Sequence, residues 1–103
     1  MFPSLVGIIL SCQLTHMMPD NYKAEISQLK TKDTYSMTLT YQFYGASFNY
    51  KYSLKNSELG LAGKDKRGDE VLVRNLKKTK DSYTLVINSQ REGELEMNCV
   101  AKK

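Results

Sequence analysis

Between Tyr35 and Lys55 large apolar residues and small polar ones alternate with a strict period of two. Met37, Leu39, Tyr41 and Phe43 interleave with Thr38, Thr40 and Gln42. After Gly45-Ala46, Phe48, Tyr50, Tyr52 and Leu54 interleave with Asn49, Lys51 and Ser53. A helix would scatter these rings around its axis, whereas a strand puts them all on one face. Gly45 at the first of two central positions suits a type II′ turn. That turn places Phe43 opposite Phe48, Tyr41 opposite Tyr50, Leu39 opposite Tyr52 and Met37 opposite Leu54. The rings of Tyr41, Phe43, Phe48, Tyr50 and Tyr52 share a face with Met37, Leu39 and Leu54, so they are expected in the core. Tyr44 alone points the other way.

The pattern recurs near the C-terminus. Tyr83, Leu85 and Ile87 are set against Leu95, Met97 and Cys99 across the loop 89–93. The register expected there pairs Ile87 with Leu95, Leu85 with Met97 and Tyr83 with Cys99. Between the two hairpins, Leu59 and Leu61 face Val73 and Val71 across the loop 64–68. Residues 22–30 offer both helical spacing, with Asp20 as N-cap, and a strand reading. The strand is favoured because the edge of the first hairpin needs covering. With 103 residues, one core is the limit. The fold class expected is all-β, a small antiparallel meander over residues 22–103 forming a sandwich or a barrel.

Residues 1–10 carry no charge and are mostly apolar, too short to cross a bilayer but of the length of a secretory h-region. No Lys or Arg precedes them. Ile9-Leu10-Ser11-Cys12 resembles the lipobox of bacterial lipoproteins. The resemblance implies a signal peptide over 1–11, a lipidated Cys12 with a polar tether over 12–21, and the β-domain after it. It also implies a membrane partner through Cys12 and a place in the bacterial cell envelope, anchored on the periplasmic or outer side. Ordinary secretion is the alternative, and there Cys12 and Cys99 are free to form a disulfide. A third reading makes Leu5 to Leu10 an N-terminal core strand. If Cys12 carries lipid, Cys99 is a small buried hydrophobe opposite Tyr83.

Fifteen Lys and Arg against eleven Asp and Glu give a net charge of +4. In a meander successive turns fall at alternate ends. One end collects Gly45-Ala46 and the loops 64–68 and 89–93. The other collects Lys55, Lys77, Lys78, Lys80, Lys102 and Lys103, a candidate surface for anionic lipid, glycan or nucleic acid. Lysines that keep turns soluble and guard edges are the simpler reading. His16 is the single imidazole, and no Ser or Cys has an oriented base beside it. Asp65, Asp69 and Glu70 flank Gly68 without calcium-loop spacing. Glu92, Glu94 and Glu96 alternate on what reads as a solvated face. Two Cys and one His leave no structural zinc set. No enzyme, cofactor or metal is expected. Arg67-Gly68-Asp69 spells the integrin-ligand tripeptide, for which chance is the better account. The function expected is a small non-enzymatic envelope lipoprotein whose β-domain binds a protein, glycan or lipid partner or has a structural role. The alternative is a soluble basic β-module binding nucleic acid or another polyanion.

Overall fold

The structure is a computed structural model that describes residues 2, 4–15, 21–29 and 33–102. Eight strands run in chain order: β1 (Ile9–Leu14), β2 (Asn21–Gln28), β3 (Thr34–Phe43), β4 (Ala46–Ser57), β5 (Gly60–Lys64), β6 (Glu70–Lys78), β7 (Ser82–Ser89) and β8 (Gly93–Lys102). Each pairs antiparallel with the next, and β1 pairs back onto β8 to close a barrel. Closure resolves the choice between sandwich and barrel. An eight-stranded barrel has an interior that side chains just fill. Here the inward rows are Leu10 and Cys12, Ala24 and Ile26, Tyr35, Met37 and Leu39, Tyr52 and Leu54, Leu61, Val71 and Val73, Leu85 and Ile87, then Leu95, Met97 and Cys99. Residues 21–28 form the strand expected there.

Two registers differ from the sequence expectation by a slip of two residues, which preserves the facing of every side chain. In the first hairpin the turn centres on Tyr44-Gly45, with φ of 46° and 80°. Positive φ at both positions makes it type I′ rather than II′. Tyr41 therefore faces Phe48, Leu39 faces Tyr50 and Met37 faces Tyr52. In the second case Leu61 faces Val73 and Gly63 faces Val71, leaving Leu59 exposed in a turn. Gly60 permits this register: a Cβ there would lie 2.2 Å from the Val73 carbonyl oxygen, so β5 and β6 come together here only around a bare backbone. The last hairpin has the register expected, Ile87 with Leu95, Leu85 with Met97 and Tyr83 with Cys99.

Of the stretch read as signal, anchor and tether, the described residues before Thr15 form, in the intact chain, a plug and a strand. Phe2 and Leu5 are buried at one end of the barrel, where the Phe2 ring meets Tyr35 edge-on at 5.9 Å. The Leu5 N–H donates to Gln28 Oε1 at 2.7 Å. Ile9–Leu14 then supplies β1, and Cys12 lies opposite Cys99 in the β1–β8 ladder with the two sulfurs bonded. A sulfur in a disulfide carries no thioether, so this arrangement and a lipidated Cys12 exclude each other. Residues 16–20 of the expected tether, His16 among them, lie outside the described residues.

The disulfide joins residues 87 apart in sequence across the closing seam. By loop-closure entropy it contributes about 4 to 5 kcal/mol. Urea unfolding with and without reductant is expected to show a loss of that order on reduction, with the midpoint falling and the slope rising as the reduced unfolded chain becomes less compact.

Candidate functional site at the barrel mouth

The two ends of the barrel differ. The N-terminal segment fills one, and the turns 58–59 and 79–81 surround it. The other end is the mouth, ringed by the β3–β4 turn and by the loops 65–69 and 90–92. The mouth is uneven because the strands differ in length. β4 has twelve residues and β5 five, and their pairing stops at Ser53 with Lys64. On the other flank β2 follows β3 out to Gln42. The β3–β4 hairpin therefore projects past the closed wall, and all residues from 42 to 49 are exposed.

This overhang carries the aromatic residues. Tyr52 is buried, as expected, but Phe43 and Phe48 are 41% and 47% exposed. The expectation that the whole ladder is core is corrected here. Inward-facing residues are buried only as far as the barrel wall extends, and among the described residues no strand stands across the mouth from these rings. They stack instead on each other and on a ring from β2. Tyr22 lies 4.7 Å from Tyr41 with planes 21° apart, and Tyr41 lies 6.0 Å from Phe43 and 6.1 Å from Phe48 at similar tilts. Tyr44, at the tip, is 92% exposed and holds a left-handed backbone. A bulky residue there costs about 1 kcal/mol. Residues 34 to 50 contain no charged side chain, although a quarter of the chain is charged.

Beside the rings sits an ion cluster that sequence reasoning missed. Arg91 in the β7–β8 loop stacks over the Tyr50 ring, its guanidinium carbon 4.0 Å from the centroid. Its Nη2 donates to Asp65 at 2.8 Å and to Asp69. The Asp65 side chain is only 6% exposed. Asp65 also orders its own loop, its Oδ1 accepting the Arg67 and Asp69 N–H groups at 2.9 and 3.0 Å. Glu92 accepts the Tyr22 hydroxyl. Ser89 is buried, and its Oγ accepts the N–H groups of Arg91 and Glu92 at 3.1 and 3.2 Å. The available signal was topological: a meander sends the loops 64–68 and 89–93 to one end, which brings these three charges together. The arrangement also bears on Arg67-Gly68-Asp69. Arg91 holds the Asp69 carboxylate while Arg67 points to solvent, so the two charges of the tripeptide are not displayed together.

The hydroxyl of Tyr52 is buried without a hydrogen-bond partner of ordinary geometry, as is Arg91 Nη1. Burial pushes the Tyr52 phenol above its ordinary value of 10.0, and Ser89 and Arg91 pull it back only in part. Among the described residues no three His, Cys, Asp or Glu side chains gather as a metal site.

Of the lysines singled out from sequence, Lys55, Lys77, Lys78, Lys80 and Lys102 are exposed at the plugged end. Lys103 lies outside the described residues. They stand on β4, β6, the following turn and β8, with β5 and β7 between them. Lys78 lies over the Tyr83 ring at 5.6 Å. Glu94 and Glu96 are exposed on β8, as the solvated reading implied, and Glu96 accepts from Thr15 at 3.1 Å. No family model, no curated protein and no solved structure matches the chain.

Two substitutions test the cluster. Arg91→Gln strands the buried Asp65 carboxylate and is expected to lower stability by about 3 kcal/mol, whereas Asp69→Asn, at a more exposed position, lowers it less. Tyr52→Phe removes an unpartnered hydroxyl and is expected to be neutral or stabilising by up to about 1 kcal/mol. A raised phenol value means that this residue's contribution is intact below pH 10 and lost as pH rises through the folded-state value. Denaturation midpoints from pH 8 to 12 are therefore expected to fall less steeply in Tyr52→Phe.

Proposed function

We propose that this chain is a non-catalytic binding module of an oxidising, extracytoplasmic compartment, and that its working surface is the uncharged aromatic hairpin at the barrel mouth. The observation that carries this reading is the ring stack in which half-buried Tyr22 and Tyr41 support exposed Phe43 and Phe48, with Tyr44 presented at its tip. Cores of interfaces are depleted in charge and enriched in aromatic residues. Tyrosine with Ser, Gly and Asn makes adaptable contact surfaces at low entropic cost, and residues 41–50 have that composition. The groups gathered at the mouth suit stacking and hydrogen bonding. The Arg91 cluster ties the loops 65–69 and 90–92 to Tyr50, so the surface is held by rigid elements.

Export is supported by the apolar N-terminus and by the cysteine pair, since disulfides persist in oxidising compartments. The anchored form is the second reading. It keeps the lipobox resemblance of Ile9 to Cys12 and an envelope address. It requires that Cys12 give up Cys99 and that the chain lose Phe2, Leu5 and Leu10 from its core. The placement of Cys12 opposite Cys99 in the β1–β8 ladder supports the unanchored form. A basic module that binds nucleic acid or another polyanion through the lysines of the plugged end has less support, because those lysines are spread over separate strands.

Intact mass of the protein recovered from its producing cell separates these forms. The reading expects a chain two hydrogens lighter than its reduced form. A mass showing removal of residues 1–11 and an acyl addition would establish the anchored form instead. For the surface, a photo-cross-linking residue in place of Tyr44 is expected to capture a partner, and one in place of Lys78 is not. Phe43→Ser with Phe48→Ser is expected to weaken that capture by at least tenfold while leaving the thermal midpoint within a few degrees, since both rings are already half exposed. Capture from the Lys78 position alone would reverse the assignment.

A further inference from the structure

The projection of the β3–β4 hairpin leaves a row of unpaired backbone groups in an otherwise closed barrel. Residues flanking a two-residue turn exchange both backbone bonds, and such pairs recur at every second position. Phe43 and Ala46 flank Tyr44-Gly45, so Ala46, Phe48, Tyr50 and Tyr52 bond to β3. Ser47, Asn49 and Lys51 present their N–H and C=O groups on the other side. The next hairpin agrees: Ser57 and Gly60 flank Glu58-Leu59, which brings Ser53, Lys55 and Ser57 to β5. β5 ends opposite Ser53, and among the described residues no further backbone bond reaches Ser47, Asn49 or Lys51. The loop that follows β5 folds on itself, Gly68 N–H donating to the Asp65 carbonyl at 3.1 Å, and is drawn toward Arg91. Natural edges of this kind are blunted by proline, inward charge or a covering segment. Here Lys51 is the one charge between Ala46 and Tyr52.

We infer that a second copy of this chain pairs along this edge, β4 against β4, antiparallel and about a two-fold axis. The inference goes beyond the binding role proposed above, since it uses the backbone edge and leaves Tyr44 at the tip clear. Charge selects both the occupant and the register. Each copy carries +4, so two copies approach most readily where charge is lowest, and the hairpin is that place. Only the register centred on Asn49 lets Ser47, Asn49 and Lys51 all bond. In it Ser47 lies opposite Lys51, Asn49 opposite its own copy, and Phe48 opposite Tyr50. Aromatic meets aromatic on one face, polar meets polar on the other, and Lys51 never meets Lys51. A two-fold pairing is self-complementary in this way, since every contact occurs twice. The edge is short, which places the dimer among weak associations, with Kd on the order of 10 to 100 µM.

Sedimentation equilibrium of the oxidised full-length chain from ~1 µM to ~500 µM tests this. The apparent mass is expected to rise from 11.8 kDa toward twice that value. Asn49→Pro removes an N–H that faces away from β3, and Asn49→Lys sets two lysines on the two-fold axis. Each is expected to weaken association at least tenfold. An equimolar mixture of Asn49→Lys and Asn49→Glu chains is expected to recover it, because opposite charges then meet. This pair carries the test if the proline variant does not fold, since neither change alters the backbone. The inference is overturned if the mass stays at the monomer value throughout. It is equally overturned if Asn49→Lys associates like the parent, or if the mixture is no tighter than either variant alone. A monomer that still cross-links a foreign protein through position 44 would sink the dimer and leave the binding role standing.

Discussion

The bonding of β1 to β8 is the contact on which the rest of this structure depends. A meander of eight strands has two outer strands, and each would otherwise present a full row of unsatisfied donors and acceptors to solvent. Pairing them makes the sheet continuous, and continuity gives every residue an inside or an outside. The seam is also the most demanding contact entropically, because its strands come from opposite ends of the chain. Cys12 and Cys99 meet directly across it and hold it covalently. Once the seam is closed, Phe2 and Leu5 have an apolar opening to fill, and one end of the barrel is stoppered by the chain's own N-terminus.

Unequal strand length then produces the asymmetry from which function is argued. A closed wall buries inward side chains only where the opposite wall stands. β5 is short and Gly63 allows it to lie close to β4, but it leaves the upper part of β4 without a strand partner on that side among the described residues. The same inward alternation that makes Met37, Leu39 and Tyr52 core makes Phe43 and Phe48 a surface. Arg91 stabilises this arrangement by joining two loops to one ring. Its guanidinium is planar and suits carboxylates at its edge and an aromatic face below it. Lys55, Lys77, Lys78, Lys80 and Lys102 stand at the other end, so the two ends differ in chemistry as well as in closure.

Much of the fold was legible from period and turn spacing alone. The alternation from Met37 to Leu54 and from Tyr83 to Cys99 identified four strands and their facing. The last hairpin's register followed from its residues. The first hairpin and the β5–β6 pair each slipped by two, because parity specifies a face but not a row. The row is decided by the Tyr44-Gly45 turn and by the close approach of β6 to Gly60. The exposed rings were read as core because periodicity reports direction, and burial depends on what stands opposite. The Arg91 cluster has no local signature, since Asp65 and Asp69 lie in one loop and Arg91 in another, two strands further along the chain.

What the amino-acid order determined by itself is the class of the protein: antiparallel strands, a single core, and an apolar N-terminus with one cysteine near each end of the chain. Those features arise from interactions between residues near in sequence or from composition, so they can be read without a partner element. Closure, the plugged end, the open edge of β4 and the clamp on Tyr50 were decided only by tertiary structure. Each depends on distances between segments far apart along the chain, and those distances exist only after the sheet has curved shut.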